Sequence, residues 1–435
     1  MTFEAIFVPE EIRAAVSDRA WIEAMLEVER ALVNAEALAG VVPAHLAGSI
    51  AEACRIESFD VDAIGAAGRS AGNPAEPLVR ALREVVGGEA AGYVHYGATS
   101  QDIVDSAAML VSRRALELVG DELEGVAAAC AALAAAHRLT LMAGRTLLQQ
   151  AVPTTFGLKA AGWLVAIVAA RARLRELRSR LPSQLGGAAG TLAAMGADGV
   201  TVAGFFAAEL ELQKPVVPWH SDRGRMAELG SALSVAAASC AKIGLDVALL
   251  EQTEVGEVRE PAGPGASSTM PHKRNPVGSA IAIACARRVS GAAGVLESGL
   301  VVEHERALGA WQAEWGALSD ALAYAGGAAA AIRGVLESLE VDAGRMLHNL
   351  EAAGGGVMSE RVLFMLARRV GYANAKQAVA GAVARAAESG GTLRDSLAGD
   401  LTAEELVEAF DPGTYLGSAC EFVDAALSYY RRPGR

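Results

Sequence analysis

The sequence predicts an all-α protein in which long helices form a central bundle. Apolar residues recur at helical spacing over long stretches, and alternation with a period of two residues is nearly absent. Mean hydropathy is +0.28 and 52% of the 435 residues are hydrophobic, which is high for a globular chain. We therefore expect helices that are buried on most sides, as in a large bundle shared between subunits.

The segment 17–40 shows the helical pattern most clearly. Trp21, Met25 and Leu32 recur at four- and seven-residue spacings, which places them on one face of a helix. Ser17 is predicted to cap the start of this helix, and Gly40 to end it. Similar patterns predict long helices over residues 105–138, 153–181, 222–252, 276–298 and 306–339.

Length and glycine content predict three domains. A chain of 435 residues is long for one hydrophobic core, and the run AAGGG at 352–356 interrupts the last helical stretch. We place the boundaries near residues 105 and 345. This gives an N-terminal helical domain (1–105), a central long-helix bundle domain (106–345) and a C-terminal helical domain (346–435).

Composition argues against several classes of function. The formal net charge of −13 disfavours a nucleic-acid partner. The sequence contains no run of about 18 uncharged apolar residues, which is the length that a membrane-spanning helix needs. The N-terminus lacks the features of a signal peptide. The five cysteines form no C-x-x-C pair, and the seven histidines show no metal-ligand spacing. We therefore expect a cytoplasmic protein with reduced cysteines, no metal and no cofactor.

Polar residues gather in four short segments between the long helices, and the first spans residues 94–105. Thr99 and Asp102 form a capping-box pattern, so one interpretation is structural. The alternative is an anion site, because a helix start offers free N–H groups and a positive dipole. His95, just upstream, would add a proton or a charge.

The second and fourth segments leave their interpretation open. Arg145 and Gln149 either line a site or bond to neighbouring backbone. Arg306 either clamps a carboxylate with both arms or forms a surface ion pair with Glu303. Trp311, which follows, is predicted to belong to the core.

The third segment, EPAGPGASSTMPHKRNPVG at 260–278, begins with a Gly/Pro-rich loop. Asn275 is predicted to cap a helix whose first residue is Pro276. Hydroxyls and positive charges stand just before this cap at Ser267, Ser268, His272, Lys273 and Arg274. They form either a solvated basic turn or an anion-binding lid.

The stretch SSTMPHKRNP at 267–276 resembles the signature of the fumarase/aspartase superfamily, approximately G-S-S-x-M-P-x-K-x-N. The first and second segments resemble the other two conserved regions of that superfamily, in the same order. The chain departs from the signature at Ala266, where a glycine is usual, so the loop is slightly stiffer. The resemblance extends over essentially the whole chain. It implies a three-domain all-α fold and a homotetramer in which three subunits share each active site.

The resemblance also implies chemistry and residues. The superfamily catalyses anti β-elimination, or its reverse, next to a carboxylate. By this resemblance Ser267 exchanges a proton with carbon, Lys273 and Asn275 hold a substrate carboxylate, and Thr99 and Ser100 bind an anion. A serine with its ordinary pKa is a poor base, so it would need nearby cations and N–H groups.

Two departures narrow the chemistry within the superfamily. Many members have a histidine after the Arg-Thr pair and a glutamate that holds it, and this histidine assists the leaving group. This chain has Leu147 and Ala280 at those positions. An amine leaves badly unless it is protonated, whereas a carboxylic acid has a pKa of about 4 and leaves as an anion. The pattern favours the branch in which a carboxylate closes a lactone within one molecule.

The predicted partner is a small tricarboxylate, which the local cations would bind despite the negative net charge. Lys273 and Arg306 are the main candidates for its carboxylates, with Arg145 and His95 weaker, and Gln149 and Ser268 beside them. One alternative is an adenylosuccinate lyase or another C–N lyase in which His95 supplies the proton. Another is an inactive structural homologue, but the presence of Ser267, Lys273 and Asn275 together argues against it.

Overall fold

The computed structural model describes residues 3–261, 270 and 273–432, and it confirms the all-α prediction. The helices are α1 (Glu4–Phe7), α2 (Glu10–Ala15), α3 (Asp18–Leu38), α4 (Ala44–Ala53), α5 (Val61–Ala71), α6 (Ala75–Val86), α7 (Ser100–Ala136), α8 (Phe156–Ser179), α9 (Gly199–Glu209), α10 (Gly224–Glu251), α11 (Val277–Ser298), α12 (Ala310–Glu337), α13 (Ala343–Glu351), α14 (Ser359–Val370), α15 (Tyr372–Ser389), α16 (Leu393–Ser396), α17 (Ala403–Ala409) and α18 (Ala419–Tyr430). The strands are β1 (Leu141–Thr146), β2 (Gln149–Thr155), β3 (Val258–Arg259) and β4 (Glu340–Val341).

The predicted long helices are present as α3, α7, α8, α10, α11 and α12. The Ser17 hydroxyl caps α3 by accepting from the Ala20 N–H at 3.2 Å, as the sequence predicts. The largest difference in position is at α7, which begins at Ser100 rather than near residue 105. The Thr99 N–H donates to the Asp102 carboxylate at 3.1 Å, so the capping pair fixes the earlier start.

A β-hairpin was not predicted. Strand β1 pairs antiparallel with β2, and residues 147 and 148 form the turn between them. The two strands lack regular alternation of apolar and polar residues, so the sequence pattern does not predict them. The helix predicted from residue 153 therefore begins at Phe156, where β2 ends.

Contacts divide the chain into two compact units, and the boundaries between them fall inside the five longest helices. Unit 1 comprises Met1–Glu124, Ala169–Ala241 and Ile281–Ala331. Unit 2 comprises Gly125–Val168, Lys242–Ala280 and Ile332–Arg435. The three-domain division with boundaries near residues 105 and 345 stays a prediction.

Unit 1 has a buried polar network beside its aliphatic core. Helix α3 packs against α4 and α9 through apolar side chains. Arg223 donates to Asp105 at 2.8 and 3.1 Å and to Glu314 at 3.1 Å, and all three side chains are almost fully buried. The Trp311 indole N–H also donates to Asp105 at 3.0 Å. Trp311 therefore belongs to the core, as predicted.

Unit 2 contains the hairpin and a C-terminal helical cluster. Helix α13 packs on β1, and buried Ala143, Leu350 and Met358 fill the space around this contact. Helices α14 and α15 form a second core, which includes Val362 and Leu397. These small cores join the hairpin to α13 and join helices α14 to α17 to one another.

Two helices pass a length and composition test for membrane spans. They are Gly224–Glu251 and Val277–Ser298, and 44% and 39% of their most apolar windows are buried within the chain. Core helices of water-soluble proteins pass the same test.

Glu36 in α3 provides a test of the buried core. Its carboxyl is fully buried, and neither oxygen has a hydrogen-bond partner. Burial, with a smaller contribution from the charge of Glu29, raises the pKa of Glu36 to about 9. The unfolded chain ionises this group near pH 4.5, so stability is lost as the pH rises between these two values.

Glu36→Gln removes this ionisation. We expect the variant to unfold with a free energy roughly 2–3 kcal/mol higher than the parent at neutral pH, and with no gain below about pH 4.5. Chemical denaturation at several pH values and one protein concentration measures the difference. Glu23→Gln, at an exposed position of the same helix, is the control. Parallel pH curves for parent and Glu36→Gln would show that Glu36 is not a buried neutral acid.

Candidate active site

Thr99 and Arg306 form the centre of the candidate site in unit 1. The Thr99 hydroxyl accepts from Arg306 Nη1 at 3.0 Å. The Thr99 N–H also donates to Asp102. Thr99 therefore caps the helix through its backbone and binds the Arg306 guanidinium through its hydroxyl. The two interpretations of this segment are thus compatible, because backbone and side chain face different partners.

Arg306 is held by a second segment as well. Its Nη2 donates to the Ala188 carbonyl at 2.9 Å. Glu303, the alternative ion-pair partner, instead accepts from the Leu308 N–H at 2.9 Å. The Arg306 guanidinium therefore lies beside the start of α7, with Nη1 bound to Thr99 and Nη2 bound to Ala188.

The loop around Ala188 was missed by the sequence analysis. Asp102, fully buried, accepts from the Gly186 and Gly187 N–H groups at 2.9 Å each. Gly187 has φ +69°, and a Cβ there would lie 2.9 Å from the Gly97 carbonyl oxygen. The GGAAG run at 186–190 was a detectable signal, since such runs mark close backbone approach.

His95 lies in the same loop as Thr99, also in unit 1. Its Nδ1 is 2.6 Å from Oε1 of Glu29, which is buried in α3. Burial alone would lower the pKa of His95. The charge of Glu29, its hydrogen bond and the charge of Asp102 outweigh burial and a smaller effect of Arg83, so the pKa is raised. Ser100 is the first residue of α7 and is partly exposed.

The structure places Arg145 and Gln149 in the hairpin of unit 2. Arg145 forms a bidentate pair with Glu257, at 2.9 and 2.5 Å. Glu257 is fully buried and also accepts from Asn349 at 2.9 Å. The charge of Arg145 is thus balanced within the unit, whereas the Gln149 side chain is exposed.

The hairpin turn carries two exposed leucines. Leu147 and Leu148 are 97% and 77% exposed and have φ values of +51° and +64°. Both are in the left-handed region, as in the type I′ turns that favour Asn and Gly. The tip therefore presents hydrocarbon, with no group that transfers a proton, at the position where the resemblance to the superfamily predicts a histidine in many members.

The signature segment is described only in part. Ser267, Ser268 and His272 lie outside the described residues. Lys273 and Asn275 are exposed, and the Lys273 N–H donates to the Met270 carbonyl at 2.9 Å. The roles predicted for these residues stay predictions.

The predicted cap of α11 is wrong. The helix begins at Val277, after Pro276, and Asn275 is exposed. The Gly278 and Ser279 N–H groups donate instead to the carboxylate of Glu260, each at 2.9 Å. A buried carboxylate satisfies two free N–H groups and the helix dipole together, which an Asn side chain cannot do.

Among residues 3–261, 270 and 273–432, no group of three or more His, Cys, Asp or Glu side chains is arranged to hold a metal ion. The Arg306 guanidinium and the Thr99 hydroxyl of the candidate site are groups of the kind that bind anions.

Comparison with known proteins identifies the family. The sequence profile of a family described as Lyase matches residues 9–291, and one described as Adenylosuccinate lyase C-terminus matches residues 355–426. The chain belongs to this lyase family. The resemblance to the fumarase/aspartase superfamily and its fold is thereby confirmed, and the protein is an enzyme of that kind.

Individual relatives cover nearly the whole chain. A 3-carboxy-cis,cis-muconate cycloisomerase of Pseudomonas aeruginosa is 47% identical, covering 99% of this chain and 97% of its own. A nitrosuccinate lyase of Streptomyces davaonensis is 46% identical, covering 96% and 92%. The crystal structure of a 3-carboxy-cis,cis-muconate lactonizing enzyme from Pseudomonas putida has a TM-score of 0.93 and 43% identity, covering 99% of each chain.

Arg306→Lys tests the anion site without any assumption about turnover. Lysine keeps the charge but lacks the two-armed geometry that reaches Thr99 and Ala188. We expect binding of propane-1,2,3-tricarboxylate, measured by titration calorimetry, to weaken about tenfold. Arg287→Lys, at an exposed position of α11, should bind like the parent. Equal affinity of Arg306→Lys and the parent would remove Arg306 from the site.

Proposed function

We propose that the protein is a 3-carboxy-cis,cis-muconate cycloisomerase, which closes a lactone within its substrate during aromatic compound catabolism. The apolar hairpin tip at Leu147 carries this proposal. The tip offers no acid for a leaving group, and the reaction requires none there. The 47% identical relative from Pseudomonas aeruginosa, which bears this name, supports the same conclusion.

The proposed reaction conserves all atoms of the substrate. One carboxylate oxygen forms a bond to an alkene carbon, and the neighbouring carbon receives a proton on the opposite face. In the reverse direction the carboxylate departs as an anion, because its acid has a pKa of about 4. Ser267, outside the described residues, is the proposed proton donor to carbon, as the resemblance implies.

The substrate carries three negative charges and meets a protein of formal net charge −13. Local cations must therefore offset the long-range repulsion. Arg306 and Lys273 are the proposed main carboxylate partners, and His95 adds to them. Arg145 is a weaker candidate, because Glu257 already neutralises its guanidinium.

The other proposed binding groups are polar and uncharged: Thr99, Ser100, Gln149, Ser268 and Asn275. We propose that the enzyme works as a cytoplasmic homotetramer in which three subunits contribute to each site, with no cofactor.

A second candidate function is the elimination of nitrite from nitrosuccinate. The 46% identical relative from Streptomyces davaonensis is named a nitrosuccinate lyase, and a lyase of this family acting on nitrosuccinate would release nitrite. Nitrite, like a carboxylate, is the anion of a fairly strong acid and leaves without protonation. The apolar tip is therefore consistent with both reactions, whereas the leaving nitrogen of adenylosuccinate needs a proton.

A direct ultraviolet assay separates these functions. The purified enzyme is given 3-carboxy-cis,cis-muconate, nitrosuccinate and adenylosuccinate in parallel. We expect loss of the conjugated-diene absorbance with the first and no change with the other two. Release of nitrite and fumarate from the second would establish the lyase. Turnover of adenylosuccinate would mean that a residue such as His95 supplies an acid, and silence with all three would favour the structural homologue.

Ser267→Ala tests the proton donor. Removal of a group that transfers the proton should lower kcat by at least about a hundredfold while KM changes little. Ser290→Ala, at an exposed position of α11, is the control, and size-exclusion chromatography shows whether both variants keep the assembly of the parent. Unchanged kcat in Ser267→Ala would exclude Ser267 from the chemistry.

A further inference from the structure

The contact between His95 and Glu29 joins the candidate site to the interior of unit 1. The Nδ1 and Oε1 atoms are 2.6 Å apart, and the Glu29 side chain is 1% exposed. A buried carboxylate is costly unless it has a charged or hydrogen-bonding partner. His95 supplies that partner, although Glu29 lies 66 residues earlier in the chain.

The backbone also fixes the position of His95. Its φ is +61°, in the left-handed region, which is unfavourable for a non-glycine residue. Arg83 Nη2 donates to the carbonyl of the preceding residue, Val94, at 3.1 Å. The backbone of His95 and the Nδ1 atom of its ring are therefore both held in place. This leaves Nε2 as the second functional nitrogen of the ring.

The charges that act on His95 come from three helices. Glu29 lies in α3, Asp102 in α7 and Arg83 in α6. Burial is the largest influence and opposes protonation, while the two carboxylates together reverse its effect on the pKa. Without the charge of Glu29, only Asp102 would act against burial and Arg83, which both lower the pKa of His95. The ring would then lose its proton at a lower pH.

We propose that Glu29 is a positioning residue that holds His95 as an imidazolium cation, with Nε2–H available to a carboxylate of the substrate. The proposal rests on the proposed function for the identity of that substrate. A charge-assisted hydrogen bond from an imidazolium is stronger than one from a neutral ring. Glu29 thus acts on substrate affinity through His95 and does not touch the substrate.

Glu29→Gln tests the proposal, because glutamine keeps the shape and an accepting oxygen but removes the charge. We expect KM for 3-carboxy-cis,cis-muconate to rise about tenfold near pH 7.5 with kcat nearly unchanged. The defect should shrink as the pH falls toward about 5.5, because protonation of the ring increases as the pH falls. Glu29→Asp, which keeps the charge, should restore part of the affinity at the higher pH.

A structural role for Glu29 predicts a different result. A loosened loop would give a KM defect of the same size at both pH values, and that result would overturn the proposal. In a His95→Gln background, Glu29→Gln should add no further pH dependence. Glu23→Gln, exposed on the same helix, should match the parent throughout.

A titration without substrate separates this proposal from the proposed function. Histidine labelled at Cε1 gives one NMR signal for each ring, and His95→Gln identifies that of His95. Its midpoint should fall to lower pH in Glu29→Gln, even if the enzyme turns over none of the muconate. An unshifted midpoint would refute the inference whatever the substrate proves to be.

Discussion

The candidate site depends on one buried carboxylate, Asp102 in the first turn of α7. It accepts hydrogen bonds from the backbone N–H groups of Thr99, Gly186 and Gly187, and His220 Nε2 lies 2.7 Å from its Oδ1. A fully buried charge needs this many partners to offset its lost hydration. The same bonds fasten the glycine loop to the helix start, so that Thr99 and Ala188 lie where the two arms of Arg306 bind them.

A second buried charge network stands one turn further along α7. Asp105 accepts hydrogen bonds from Arg223, which also donates to Glu314. Burial raises the pKa of Glu314. Removing one member of such a network typically costs about 3–5 kcal/mol, because an unpaired charge is left in the interior. The network joins α7 to the starts of α10 and α12, and Arg306 precedes α12.

The chemistry that the protein supports follows from the groups at two places. The anion site offers Arg306, Thr99 and a His95 whose pKa is raised despite burial. The hairpin tip offers only Leu147 and Leu148. A substrate whose leaving group is itself a stable anion needs no acid at the hairpin tip, and cations and hydroxyls of the kind found in the candidate site bind carboxylates. The muconate and nitrosuccinate reactions share that property, so a substrate assay must separate them.

The sequence by itself determined the helical class, the long helices, the family and the absence of a histidine at Leu147, because these depend on periodicity and on contiguous motifs. Only the tertiary structure decided which charges meet. Glu257 pairs with Arg145 across 112 residues, and Glu260 rather than Asn275 caps α11. Glu29 reaches His95 across 66 residues. Long-range pairing of buried charges leaves no periodic signal in one sequence, since each partner alone resembles an ordinary polar residue of a helix or loop.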